Sequence, residues 1–169
     1  MKLTPIMKDF VVHWGEMGTY WGINRTVAKI HALLFISPEP LSAEEIVNLL
    51  VIARSNVSSS LKELENWGVI KVVHKFADRK EYYESLKDVW EVASLILDQR
   101  KKREIDPAIK FLKQCLEEHK SNTKNKETDY SERKLKELLS LFETASTGCN
   151  QIRNLPIKQV LQFINLGRK

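Results

Sequence analysis

The hydrophobic pattern changes its period within one short run, and this limits the possible folds more than any other feature. The run is ARSNVSSSLKELENWGVIKVVHKFADRKEYY, residues 53–83. Val57, Leu61 and Leu64 recur at the i, i+4, i+7 spacing of one helix face, which predicts a helix over about Ser55–Asn66. Gly68 is placed to end it in a left-handed conformation. Beyond the glycine, Val69–His74 is β-branched and apolar with Lys71 interspersed, and Glu81–Glu84 supplies a return strand. FADRK between them is a charged turn. A helix leading straight into a short basic hairpin is compatible with few architectures.

The segment upstream supplies partners for that helix. Ile6, Phe10, Trp14 and Met17 form an apolar stripe on an N-terminal helix, which Gly15, Gly18 and Gly22 weaken toward a break near Thr19–Ile23. A second helix is expected from about Asn24 to Ile36, with Val27, Ile30 and Leu34 inward, stopped by Pro38 and Pro40. In LSAEEIVNLL, Ser42 and Glu45 have the spacing of a capping box, so a third helix starts there, with Ile46, Leu49 and Leu50 buried. Two helices joined tightly and followed by a basic-tipped hairpin describe a winged helix-turn-helix.

Downstream, Leu86–Arg103 reads as a long helix with Val89, Val92, Ala93 and Ile96 inward. Asp106 as N-cap and Pro107 at the first position start another, carrying Ile109, Leu112 and Leu116. His119–Asp129 is polar and reads as a mobile loop. A further helix holds Leu135, Leu138, Leu139 and Phe142 up to Gly148, and a last one begins at Pro156. The expected fold class is therefore mainly α with a small β-hairpin wing. It divides into an N-terminal dimerisation helix (1–22), a winged helix-turn-helix (23–86) and a C-terminal helical dimerisation region (87–169) with a mobile loop near 119–129.

Bulk properties narrow the function. The chain has 169 residues, 43% of them hydrophobic, enough for a real core. Its 27 Lys and Arg against 22 Asp and Glu give a net charge of +5, which suits an anionic partner. Two isolated cysteines read as reduced thiols, and neither a signal peptide nor a membrane span is visible, so a cytoplasmic protein is expected. The four histidines lack metal-ligand spacing, and there is no glycine-rich phosphate loop or nucleophile elbow. No metal, cofactor or enzymatic activity is expected.

The runs NVSSSLKELENWGVIKVVHKFADRKEYYE, DVWEV and RKKREIDPAI resemble the GbsR branch of the MarR-type transcriptional regulators. WGINRTVAKIHALLFISPEPLSAEEI resembles the family's helices that lead into the recognition helix. The likeness covers roughly residues 14–109. It implies a homodimeric, double-stranded-DNA-binding regulator, expected to repress, whose N- and C-terminal helices intertwine in the dimer. Some members of this branch respond to choline-like quaternary ammonium compounds, which makes a small-molecule effector a candidate partner here, although no cage motif is matched residue by residue.

The residues themselves point to DNA through the polar half of the recognition helix. Its N-terminal half presents Arg54, Ser55, Asn56, Ser58, Ser59 and Lys62, with Ser55, Ser59 and Lys62 opposite the apolar face and Asn56 and Ser58 on its flanks; short hydroxyls allow close approach, and Arg and Asn can pair with base edges. The alternative is a tolerated solvent face of weak helix formers. In the wing, Arg79 is placed to reach a minor groove, with His74, Lys75 and Lys80 supplying backbone charge. Trp14, Tyr20, Trp21 and Trp90 are candidates for an aromatic box around a cationic effector, against the plainer reading of core or dimer interface. A rival function is a winged-helix protein-interaction module that uses the same helix without reading DNA.

Overall fold

The computed structural model describes residues 2–118 and 126–154. The chain divides into two compact units, residues 1–92 and 93–169.

In the first unit, α1 (Pro5–Tyr20) starts with Thr4 as N-cap and Pro5 at its first position. It packs against α2 (Arg25–Ile36), but not through the stripe that the sequence suggests. Met7, Val11, Gly15 and Gly18 are buried, while Ile6 is exposed and Phe10, Trp14 and Met17 are only half-buried. The glycines decide the face. A Cβ on Gly18 would lie 2.4 Å from the Ala28 Cβ, and one on Gly15 would lie 2.5 Å from the Lys29 Cγ. Those two residues let the helix backbones approach, and the bulky stripe is left on the outer flank. Gly22, at φ +70°, makes the break.

α2 is capped by Asn24, whose Oδ1 accepts from the Thr26 amide at 2.8 Å. Val27, Ala28, Ile30, His31, Ala32, Leu33 and Leu34 are all buried, so this helix is the centre of the unit. Leu41–Ser42 (β1) follows, a two-residue strand that the sequence reading did not foresee. Two residues carry no period, and only pairing with the hairpin defines them. The predicted capping box opens α3 (Ala43–Leu50): Ser42 Oγ accepts from the Glu45 amide, and the Glu45 carboxylate accepts from the Ser42 amide at 2.8 Å.

Val51 ends α3 in a left-handed conformation, at φ 53°, ψ 50°. α4 (Arg54–Trp67) turns Val57, Ser60, Leu61, Leu64 and Trp67 inward. Gly68, at φ 74°, closes it in the left-handed conformation expected. The hairpin is β2 (Ile70–His74) and β3 (Glu81–Ser85), antiparallel with Val72 opposite Tyr83. β1 adds to the other edge of β3, giving the order β1-β3-β2. Helix, tight turn, second helix and hairpin constitute a winged helix-turn-helix in a mainly helical chain.

From residue 89, at the end of the first unit, and on through the second, the chain departs from the expected breaks. α5 (Val89–Arg100) leaves Val89 and Ala93 exposed, contrary to their predicted inward placement, and buries Val92. It does not end before Asp106. Lys101–Ile105 form a π-helical turn that runs on into α6 (Asp106–Glu118). Asp106 has helical angles, and its amide donates to the Lys101 carbonyl, five residues back. Pro107 explains this geometry. Proline cannot bond the carbonyl four residues earlier and its ring crowds that turn, so a locally widened helix accommodates it without a break.

α7 (Lys126–Asn154) already includes residues 126–129, which the sequence reading gave to a loop, and it passes through Gly148 without ending. Glycine weakens a helix by only about 1 kcal/mol, and α7 also packs against α6. Leu112 is buried in α6, and Lys113 pairs with Glu143 of α7 at 2.8 Å. The rest of the predicted loop, 119–125, and the predicted last helix from Pro156 lie outside the described residues.

Candidate nucleic-acid interface

α4 separates its two faces cleanly. Arg54, Ser55, Asn56, Ser58, Ser59 and Lys62 are all exposed; Ser55, Ser59 and Lys62 lie opposite the buried Val57, Leu61 and Leu64, Asn56 and Ser58 lie on the flanks, and Arg54 is at the open N-terminal end. The structure therefore brings the six residues singled out on this helix onto its open side and N-terminal end. The third serine of the run behaves differently. Ser60 is buried, and with Asn56, Ser59, Asn24 and Thr26 it lines a polar cleft of about 150 Å³ between α4 and the first turn of α2. The Ser59 hydroxyl donates to the Asn56 carbonyl at 3.1 Å, and among the described residues Ser55 and Ser58 make no side-chain hydrogen bond.

The wing meets the start of α3 through charge. The Lys80 ammonium lies 2.9 Å from the Glu44 carboxylate in the first turn of α3. Arg54 adds to the positive potential felt by Glu44, whose carboxyl is held below the usual range mainly by its bond to Lys80 and the Lys80 charge. The same pair raises Lys80. Two short helices and the hairpin thus converge at Glu44.

A second set of contacts braces the tip. Asp78 Oδ1 accepts from the Lys80 amide at 2.9 Å, and Oδ2 accepts from the Tyr82 hydroxyl at 2.7 Å. These bonds depress the Asp78 carboxyl and raise Tyr82. The Lys75 ammonium sits 3.9 Å from the centre of the Tyr82 ring. Of the four wing residues expected to meet DNA, Lys75 and Lys80 therefore have partners within the protein. His74 is exposed at the end of β2, and among the described residues Arg79 has neither a hydrogen bond nor an ion pair. Sequence reasoning could not see that Glu44, 36 residues away, takes one of the lysines.

The foot of the wing is anchored in the core. Ser85 in β3 is fully buried, with its Oγ 3.4 Å from His31 Nε2 in α2 and within reach of the Val69 and Leu86 carbonyls. Burial lowers His31 from 6.5 to about 4, so the imidazole is neutral at ordinary pH. Tyr83 beside it in β3 is pushed up to about 12 by burial and by its bond to Glu81.

The aromatic candidates are only partly assembled. Trp14 meets Trp21 edge-on at 5.6 Å and Phe10 at 5.5 Å. Among the described residues, no ring contact joins Tyr20 or Trp90 to them; both are exposed. The basic run at 100–103 is largely neutralised by its own helix, through Arg100–Glu104, Lys101–Asp106 and Lys102–Asp98. Among the described residues, no three metal-ligating side chains converge, and no helix is long and apolar enough to cross a membrane.

Residues 21–80, which include both helices of the turn and most of the wing, match the model of the MarR family. A solved structure described as "Crystal Structure of a transcriptional regulator" superposes with a TM-score of 0.68, covering 88% of this chain and 96% of that one at 16% sequence identity. That likeness establishes a shared fold extending well past the matched segment. Among curated proteins, no sequence is significantly similar.

Proposed function

We propose that this winged helix reads double-stranded DNA as part of a homodimeric transcriptional regulator, and that it represses. The observation that carries the reading is the open face of α4. Six polar or basic residues share it, and its inner side is packed against the core. Such a helix can enter a major groove without rearrangement, with Arg54 and Asn56 at base edges and the serines and Lys62 at phosphates. The match of residues 21–80 to the MarR family supports the same reading.

Dimerisation is supported by apolar surface at both ends of the chain. α1 exposes Ile6 and Val12, and α7 exposes Leu138, Leu141 and Ile152 along its length. Two copies related by a two-fold axis would place their α4 helices in successive major grooves, about 34–36 Å apart, on a pseudo-palindromic site. The GbsR-like branch and a choline-like effector belong to this proposal too. The paired indoles of Trp14 and Trp21 are where a cation would first be sought, by quenching of tryptophan fluorescence. Such a ligand regulates only if it binds the DNA-competent and incompetent states unequally.

The test is fluorescence anisotropy with random duplexes across a salt series, followed by selection of the bound fraction. The expected result is affinity that falls steeply with salt and enrichment of a pseudo-palindrome, the enrichment being lost in the Arg54→Ala/Lys62→Ala variant. Wild-type protein that binds no duplex at low salt overturns the proposal in favour of a protein-interaction module.

A further inference from the structure

The wing tip holds a side chain that the reading above leaves without a role. Phe76 is 103% exposed, more open than any other large apolar residue described. It sits at the apex of a tight turn, in which the Asp78 amide donates to the Lys75 carbonyl at 3.1 Å. Ala77, the next residue, has φ 62°. One positive φ at the third position of a four-residue turn is the type II pattern, which ordinarily takes glycine or asparagine there. The chain therefore maintains a strained alanine and a water-exposed phenylalanine side by side.

This tip is not loose. Asp78 ties together the Lys80 amide and the Tyr82 hydroxyl, Lys80 is held by Glu44, and Lys75 lies over the Tyr82 ring. The polar groups around the turn are thus occupied in holding it, while Phe76 and Arg79 are left facing outward. The brace through Glu44 also ties the wing to the helix pair whose second member carries the open polar face. An exposed aromatic side chain close in sequence to the exposed His74 and the outward Arg79 does not suit a purely apolar partner. It suits a surface that offers phosphates at its rim and stacked rings inside.

We infer that Phe76 is an apolar wedge that the wing inserts at a base step of the minor groove, with Arg79 supplying the accompanying positive charge. Proteins that bind this groove commonly unstack a step with such a side chain and bend the duplex around it. Pyrimidine–purine steps unstack most easily, so they are the steps that Phe76 selects on either flank of the site. The inference rests on the DNA-reading proposal but makes a separate claim: the wing deforms DNA as well as touching it.

The full chain is tested on duplexes enriched from the random pool, with 2-aminopurine placed in turn at each flanking position. Wild type is expected to raise the fluorescence at one flanking step per half-site, reporting unstacking. Phe76→Ala is expected to abolish that rise and weaken binding about tenfold. Its salt slope stays unchanged, because phenylalanine neutralises no phosphate. Phe76→Trp should keep the rise, and Arg79→Ala should reduce the salt slope. An unchanged melting temperature in Phe76→Ala shows that the fold is intact. If wild type binds with salt dependence but unstacks no flank, or Phe76→Ala matches it in both readouts, the wedge is overturned and the DNA reader stands. If wild type binds no duplex, the reader and the wedge fall together.

Discussion

α4 and the wing tip are held in opposite ways. α4 is rigid because its inner face is packed: Val57, Leu61 and Leu64 are buried to within 2%, and burying each such side chain contributes about 1.5–3 kcal/mol. Its outer face is therefore free of structural duties. The wing tip has no core behind it, so its shape depends on polar contacts made by its own charged residues. Lys75 and Lys80 hold the tip, and Phe76 and Arg79 remain outward. Positive charge in the sequence is thus a poor guide to which wing residues are available.

The comparison can be broken most directly at the floor of α4. Leu64→Ala should cost about 3 kcal/mol of unfolding free energy in urea and abolish duplex binding, because the open face loses its support. No single change at the wing tip should approach that.

The foot of the wing, unlike its tip, behaves like the core, and acid separates the two. His31 has a folded pKa of about 4 against 6.5 for the free group, so the unfolded chain binds the extra proton between those values. Stability is full above pH 6.5 and falls as pH drops through 4, by a total of about 3 kcal/mol. His31→Gln, neutral at every pH, should flatten the urea-midpoint profile between pH 6.5 and 4. A variant profile that keeps the wild-type slope there would show that the imidazole is not buried neutral.

Smaller and of opposite sign is the change at Val51, where a β-branched residue 90% exposed sits at φ 53° between α3 and α4. Val51→Gly should stabilise by about 1 kcal/mol, the relief of left-handed strain exceeding the added entropy of the unfolded chain. Loss of stability in thermal melts would instead mean that the valine makes a contact of its own. The smallest effect is expected at the wing brace. Glu44→Gln should leave the melting temperature within experimental scatter, since the pair with Lys80 is exposed, yet hydrogen exchange at the tip should accelerate as the bracing charge is lost.

Particular residues show what could be read in advance. The Ser42–Glu45 box, the Gly68 stop and the inward Val57, Leu61 and Leu64 are governed by neighbours within four residues, and each was legible. The outward placement of Ser55, Ser59 and Lys62 followed from the same periodicity. Gly15 and Gly18 were misread as weak helix because their use is a close approach to Ala28 and Lys29. Pro107 was misread as a helix start, because a π-helical turn is invisible to a pattern built on 3.6 residues. The Phe76 apex lies in a four-residue turn, too short to carry a period that would show which way its side chains face.

The sequence by itself determined the order of the helices and the hairpin up to residue 85, the ends of α2 and α4, the start of α3, and which side of α4 is polar, since these depend on local propensity and spacing. Only the tertiary structure decided which face of α1 is covered, that β1 joins the sheet, that Glu44 takes Lys80, and that His31 meets Ser85 54 residues away. Each of those depends on chain segments remote in sequence being brought within a few ångströms, and no local pattern encodes a distance of that kind.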